Sequence, residues 1–302
     1  MHGVVVIDKP AGPTSHDMVD RVRRTLGLRR VGHTGTLDPF ATGVLPICVG
    51  KATRLARFLG AGEKTYRATV RLGFATSTDD LTGAPLGEPQ PVRVDESTLR
   101  QALERLEGSY DQVSPAYSAR RVGGRRLYEL ARRGEGGARP ARPVTIRRIT
   151  LIRLAGAEVE IEALCSPGTY VRALARDLGE ALGTGAHLIT LRRTRSGSFG
   201  LDQAVPGDDM SHVRERLVPL NELLPELPAV HVGEEGRLRV QHGRDLDAKS
   251  IDAGFPEDQV EWMRVLDDSG ALVALALWRP GQSEGLAPSV EPLLHPKVVF
   301  IP

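Results

Sequence analysis

The sequence is poor in everything that holds a cofactor or crosses a membrane. It has two cysteines, Cys48 and Cys165, both in apolar, strand-like contexts. Two such residues build no disulfide framework and read as reduced, buried side chains. No Cys and His share metal-ligand spacing, no glycine-rich phosphate loop opens a helix, and no dinucleotide fingerprint is present. The expectation is no metal and no cofactor. No apolar run is long enough to span a bilayer. The N-terminus, Met1-His2-Gly3-Val4-Val5-Val6-Ile7-Asp8, lacks the basic region and cleavage site of a signal peptide. These absences point to a cytoplasmic chain whose chemistry is done by side chains.

What is present is ordinary in amount and uneven in placement. The 302 residues, 40% hydrophobic and 26% charged, suffice for one large domain and a smaller one. The net charge of +2 hides a polarity. Residues 1–200 carry 31 Lys and Arg against 20 Asp and Glu; residues 201–302 carry 9 against 18. Arginines cluster at Arg21, Arg23, Arg24, Arg29 and Arg30, and ten more run from Arg120 to Arg148. Genomic composition alone can enrich arginine, but clustering favours a polyanion partner.

The stretch with the strongest backbone demands is Gly32-His33-Thr34-Gly35-Thr36-Leu37-Asp38-Pro39, continuing through Phe40-Ala41-Thr42-Gly43-Val44-Leu45-Pro46. Glycines open backbone angles closed to other residues, and Pro39 pushes Asp38 into an extended conformation. The loop reads as a rigid presenter of one carboxylate; for an isolated Asp-Pro, an Asx turn would be the ordinary reading. Three other blocks stand out: Lys9-Pro10 after a short apolar strand, Lys64-Thr65-Tyr66 opening a cleanly alternating strand, and Cys165-Ser166-Pro167-Gly168-Thr169-Tyr170-Val171-Arg172 leading into an amphipathic helix. Arg172 falls near that helix's N-terminus, where the dipole disfavours a cation unless an anion sits opposite.

Together these blocks resemble the TruB family, the bacterial tRNA pseudouridine-55 synthases. The match rests on Gly32-His33-Thr34-Gly35, Leu37-Asp38-Pro39, Ala41-Thr42-Gly43, Leu45-Pro46-Ile47-Cys48 and Gly50. Asp177-Leu178-Gly179 and Gly185-Ala186-His187-Leu188 add to it. It covers residues 3 to about 225 well and the remainder poorly. The resemblance implies that Asp38 is the catalytic carboxylate, acting as nucleophile or base. Arg172 would pair with it and lower its pKa. Tyr66 would stack on the target uracil, Tyr170 would sit by the sugar as a candidate shuttle for the proton lost from C5, and Leu191 would pack near the base. His33 would fill the gap left when the base leaves the RNA stack. Lys9, Lys64 and Arg120 are assigned to RNA contact. Each has a plainer alternative: core packing for Tyr66 and Leu191, a structural hydrogen bond for His33, a solvent-facing guanidinium for Arg172, the end of a strand for Lys9-Pro10.

The remaining segments are read from pattern. Thr14 or Ser15 caps a helix with Met18, Val19, Val22 and Leu26 inward. Residues 50–59 read as a helix, Thr78-Asp79-Asp80-Leu81-Thr82-Gly83 as a solvated turn, and residues 95–106 as an amphipathic helix. A glycine-hinged, arginine-rich insertion near 112–143, with a short helix around 127–132, suits an RNA clamp that orders on binding. It resembles a thumb loop of the family, with Arg120 where a lysine is usual. Residues 144–154 and 157–165 read as paired strands. Residues 205–228 read as a linker with a helix, followed by strands at 229–232, a hairpin over 263–277 turning at Asp267-Asp268-Ser269-Gly270, and a strand at 298–301.

The expected fold is α+β: a mixed, mainly antiparallel sheet with flanking helices, the pseudouridine synthase fold, over residues 1–225, then a small β-rich PUA-like domain over 226–302. The expected function is isomerisation of a uridine in the tRNA T-loop (U55), by base flipping and an aspartate-dependent glycosidic rearrangement. The expected partner is the T-arm stem-loop, bound by a monomer with no obligate protein partner; the short N-terminus and the complete clamp argue for stand-alone action. The alternatives are a non-catalytic RNA-binding or folding factor using the same cleft, and a related synthase acting with a guide RNA and protein partners.

Overall fold

The computed structural model describes residues 1–301 except 119–120, 123, 127–138, 256–259 and 280–292. Strand β1 (Gly3–Lys9) is apolar without a break from Gly3 to Ile7 because both of its faces are buried there. Val5 and Ile7 join the core under the helices, while Val4 and Val6 join a second core on the opposite face. Thr14 caps α1 (Ser15–Leu26) in a reciprocal capping box with Asp17. Met18, Val19, Val22 and Leu26 of α1 are buried, as its periodicity requires.

After β2 (Val31–His33) and β3 (Thr42–Val49), the expected helix over 50–59 is mostly a 3-10 turn, Gly50–Leu55, followed by a single α turn, α2 (Ala56–Leu59). β4 (Lys64–Leu72) alternates as read, with Tyr66, Ala68, Val70 and Leu72 buried. α3 (Glu96–Arg105) is capped by Asp95. Then come β5 (Gly108–Val113), β6 (Ala141–Ala155), β7 (Glu158–Cys165), α4 (Val171–Ala181) and β8 (Ala186–Ser196).

The main strands lie in the order β1-β3-β8-β4-β7-β6-β5. β3 and β8 run parallel; the other neighbours in this row are antiparallel. This central junction places Arg193 of β8 beside Gly43 of β3 and opposite Tyr66 of β4. The helices α1, α3 and α4 contribute buried residues to the core on one face.

Residues 205–228 are not a linker with a helix. Val205–Pro206 and Val218–Pro219 pair with β1, and only a 3-10 turn, Leu220–Glu222, follows. The C-terminal region is a separate sheet in the order β9 (Ala229–Val232), β10 (Trp262–Asp267), β11 (Leu272–Arg279), β12 (Leu293–Val299), with α5 (Glu234–Gln241) beside it. The final strand lies earlier than expected and stops before Phe300. The hairpin turn is fixed by the Asp267 carboxylate, which accepts from the backbone of Ser269 and Ala271. This sheet has its own core around Val230, Met263, Val265 and Leu294. Leu272, Leu275, Val298 and Phe300 pack instead against Val4, Val6, Val44 and Cys48 of the large sheet. Among the described residues no helix is long and apolar enough to cross a membrane. Cys48 and Cys165 are free and buried, and burial pushes both thiols up to about 12.

Candidate active site

A cavity of about 300 Å³ opens where the β2–β3 loop, the start of β4, the middle of β8 and the N-terminus of α4 converge. Asp38, Lys64, Tyr66, Tyr170, Arg172 and Leu191 all line it, and Asp38 is the one carboxylate among the described lining residues. That volume is at the lower end for a small-molecule site.

The loop that presents Asp38 is fastened on both sides. Before it, the buried Ser15 hydroxyl donates to the Leu37 carbonyl at 3.0 Å and accepts from the Leu37 amide at 2.8 Å. After it, Gly12 N–H donates to Pro39 O at 2.8 Å. Lys9 lies beneath the same loop. Its side chain is 0% exposed, and Nζ donates to the carbonyls of Pro10, Pro39 and Ala41 at 2.8, 3.1 and 2.7 Å. The assignment of Lys9 to RNA contact is therefore corrected. All three of its donors are spent on the loop, where it acts as a strut.

Arg172 is 4% exposed and pairs with Asp38 through two nitrogens: Nη2 donates to Oδ1 at 3.2 Å, and Nε lies 2.9 Å from Oδ2 as an ion-pair contact without hydrogen-bond alignment. The remaining donors reach the carbonyls of Thr78 and Tyr117, and Nη1 lies 3.3 Å from Asp80 Oδ2. A cation near a helix N-terminus thus has two carboxylates opposite it. Asp80 is itself held by Thr78 Oγ1 and by the amide and hydroxyl of Thr82. The solvated-turn reading of residues 78–83 fails: Asp79 and Asp80 are 8% and 4% exposed, and Asp79 pairs with Arg176 at 3.2 Å.

The electrostatics of Asp38 also differ from expectation. Burial raises its carboxyl above the ordinary value and Asp80 adds to the rise, while Arg172 and Lys9 oppose it. The ion pair restrains an upward shift and does not produce a net downward one. Asp38 remains 33% exposed on its side chain, so a substrate can reach it.

Tyr66 is 7% exposed, and burial raises its phenol. The buried Arg193 lies opposite Tyr66, where its charge opposes that rise, and donates to Val44 O at 2.7 Å and Gly35 O at 3.1 Å. It therefore joins three elements of the site. Tyr170 is the N-cap residue of α4, and its backbone is fixed by Gln112, which accepts from Tyr170 N at 2.9 Å and donates to Tyr170 O at 3.2 Å. Lys64 donates to Gly60 O and Gly62 O at 2.8 and 2.6 Å, and burial together with Arg193 brings its ammonium down to about 8. His33 sits half-buried on β2 outside the cavity lining, with Nδ1 buried and unpaired among the described residues; burial lowers its pKa. Arg120 and the helix expected around 127–132 lie outside the described residues.

Sequence reasoning missed Ser15 as a loop fastener, Asp80 as the second carboxylate on Arg172, Arg193 as the inner brace and Gln112 as the clasp on Tyr170. All act across large sequence separations. Only the Gly43 position carried a trace: with φ of 102°, a Cβ there would lie 2.1 Å from Arg193 O. Among the described residues no group of three or more His, Cys, Asp and Glu could hold a metal.

Comparison with known proteins agrees with this geometry. Residues 23–171 match the model of the TruB family pseudouridylate synthase N-terminal domain, and residues 172–224 match the tRNA pseudouridylate synthase B C-terminal domain. A protein of Solibacter usitatus named tRNA pseudouridine synthase B is 41% identical, covering 99% of this chain and 100% of its own. One of the same name from Mycolicibacterium paratuberculosis is 50% identical, covering 89% and 94%. Among solved structures, a Cbf5-Nop10-Gar1 complex is similar with a TM-score of 0.75 at 28% identity, covering 99% of this chain and 85% of that one. An H/ACA RNP bound to a substrate RNA containing 2'-deoxyuridine matches with a TM-score of 0.73 at 27% identity, again over 99% and 85%.

Proposed function

The chain belongs to the TruB family of pseudouridylate synthases, and from that membership we propose that it isomerises a uridine of the tRNA T-loop, U55, to pseudouridine. The observation that carries the reading is the two-point Arg172–Asp38 pair inside a cavity walled by Tyr66, Tyr170 and Leu191 among others. The N1–C1′ bond breaks, the base turns, and C5 bonds to C1′. The hydrogen on C5 leaves as a proton and N1 gains one, so the reaction is balanced without an outside reactant.

A base inside a folded loop must leave the stack to reach this cavity. In this reading Tyr66 stacks on the uracil, Leu191 packs against it, and Tyr170 sits at the sugar and relays the C5 proton. Asp38 works as nucleophile or base with Arg172 fixing its orientation. Lys64 stands at the cavity wall with one donor beyond its two carbonyl bonds, available to the RNA. His33 and the clamp entered by Arg120 contact the RNA outside the cavity. The substrate element is the T-arm stem-loop, bound in the cytoplasm by a monomer without a protein partner. We place the boundary of the catalytic domain at 225/226, a division supported by the family match ending at 224.

The test uses a T-arm hairpin with tritium at C5 of its uridines. Wild type should release label to water without added cofactor, while Asp38→Asn should bind the hairpin and release none. Binding without release by both proteins would support a folding factor instead; equal release would remove Asp38 from the chemistry.

A further inference from the structure

Ser118 lies where the clamp insertion leaves the catalytic body. It is 3% exposed, it lines the cavity, and its Oγ is buried with no hydrogen-bond partner among the described residues. A buried hydroxyl without a partner is costly, and native structures seldom leave one unless something else supplies the bond. The preceding residue fixes where that something sits. Tyr117 O accepts from Arg172 Nη2 at 2.8 Å, and the same nitrogen contacts Asp38 Oδ1 at 3.2 Å. Ser118 is thus one residue from a carbonyl that shares a donor with the reacting carboxylate. The bonds made and broken in the isomerisation meet at C1′; on the sugar the ring oxygen bonded to C1′ only accepts, and the nearest hydroxyl to C1′ is the 2′-hydroxyl, which both donates and accepts.

Resting on the function proposed above, we propose that Ser118 is a substrate-positioning residue whose hydroxyl exchanges a hydrogen bond with the 2′-hydroxyl of the target uridine. The contact makes the site selective for RNA at that nucleotide. It also ties the root of the clamp to the substrate, so that a correctly seated ribose, Tyr117 and Arg172 are engaged together.

The experiment pairs a protein change with an RNA change. C5-tritiated T-arm hairpins carrying either uridine or 2′-deoxyuridine at the target position are reacted with wild type, Ser118→Ala and Ser118→Thr. Expected is a loss in kcat/KM of about fivefold to tenfold for Ser118→Ala on the ribose hairpin and a similar loss for wild type on the deoxy hairpin. Combining the two changes should cost little more than either alone, the signature of one shared contact. Ser118→Thr keeps a hydroxyl and should keep a preference for ribose. If the deoxy hairpin does not turn over, the same cycle is read as Kd in an Asp38→Asn background. Unchanged kcat/KM for Ser118→Ala, or losses that multiply, would overturn the proposal and leave a water-satisfied serine. Absence of label release by wild type on the ribose hairpin would instead defeat the functional reading itself.

Discussion

At the scale of single residues, the site is a carboxylate managed by its neighbours. Asp38 is raised by burial and by the Asp80 charge, and Arg172 holds both acids. Neutralising Asp80 removes one cause of the rise and leaves Arg172 to Asp38 alone. The acidic limb of the pH–rate profile, which reports loss of the ionised Asp38, should therefore move to lower pH in Asp80→Asn. Arg172 also loses an anchor, so the rate near pH 7 should fall by at least about tenfold. Label release measured between about pH 4 and 8 checks both parts; a limb that stays put or climbs would show that Asp80 does not act on Asp38. That Asp38, Tyr66, Tyr170 and Arg172 would meet at one cavity was legible because each sits in a local block that carries the family resemblance. Asp80 was not. A run of Thr, Asp and Gly looks the same whether solvated or buried, and only the approach of Arg172 and Arg176, more than ninety residues away, decides between them.

At the scale of elements, alternation and capping carried most of the information. The two-residue period of β4 and the capping box of α1 are written in adjacent residues, so their spans could be read directly. The pieces at Val205–Pro206 and Val218–Pro219 are too short to show any period, and they become strands only because β1, paired with β3 on one edge, offers them the two ends of its other edge. Strand order was equally hidden, and with it the parallel β3–β8 junction. That junction sets a sharp limit on Gly43. Its φ of 102° is strained for a residue with a side chain, and a Cβ would press on the Arg193 backbone. Gly43→Ala should lower stability by at least about 3 kcal/mol. It should also displace Arg193, which braces Val44 and Gly35 on one side of the cavity. Urea midpoints against wild type test the first effect, and label release by the fraction still folded tests the second; a near-wild-type midpoint would mean the junction yields more easily than its geometry indicates.

At the scale of the whole molecule, the chain divides its labour by charge. The basic first two hundred residues hold the cavity, and the acidic remainder supplies the second sheet. The sequence showed this polarity but not what the second sheet does for the first. Its outer residues Leu272, Leu275, Val298 and Phe300 close over Val4, Val6, Val44 and Cys48, the back of the strands that flank the Asp38 loop. Phe58 meets Trp262 edge-on at 4.7 Å at the same seam. An acidic surface suits a part that stays off phosphate, whereas an apolar seam makes the part structural. A chain ending at residue 225 would expose that seam and lose its burial free energy. It should therefore be poorly soluble or loosely packed, with weakened near-UV circular dichroism and little label release, whereas the full chain should unfold in urea as a single transition. A shortened chain with native spectra and undiminished rate would show that β1 and β3 need no cover. The second sheet would then have to be explained by what it touches in the RNA.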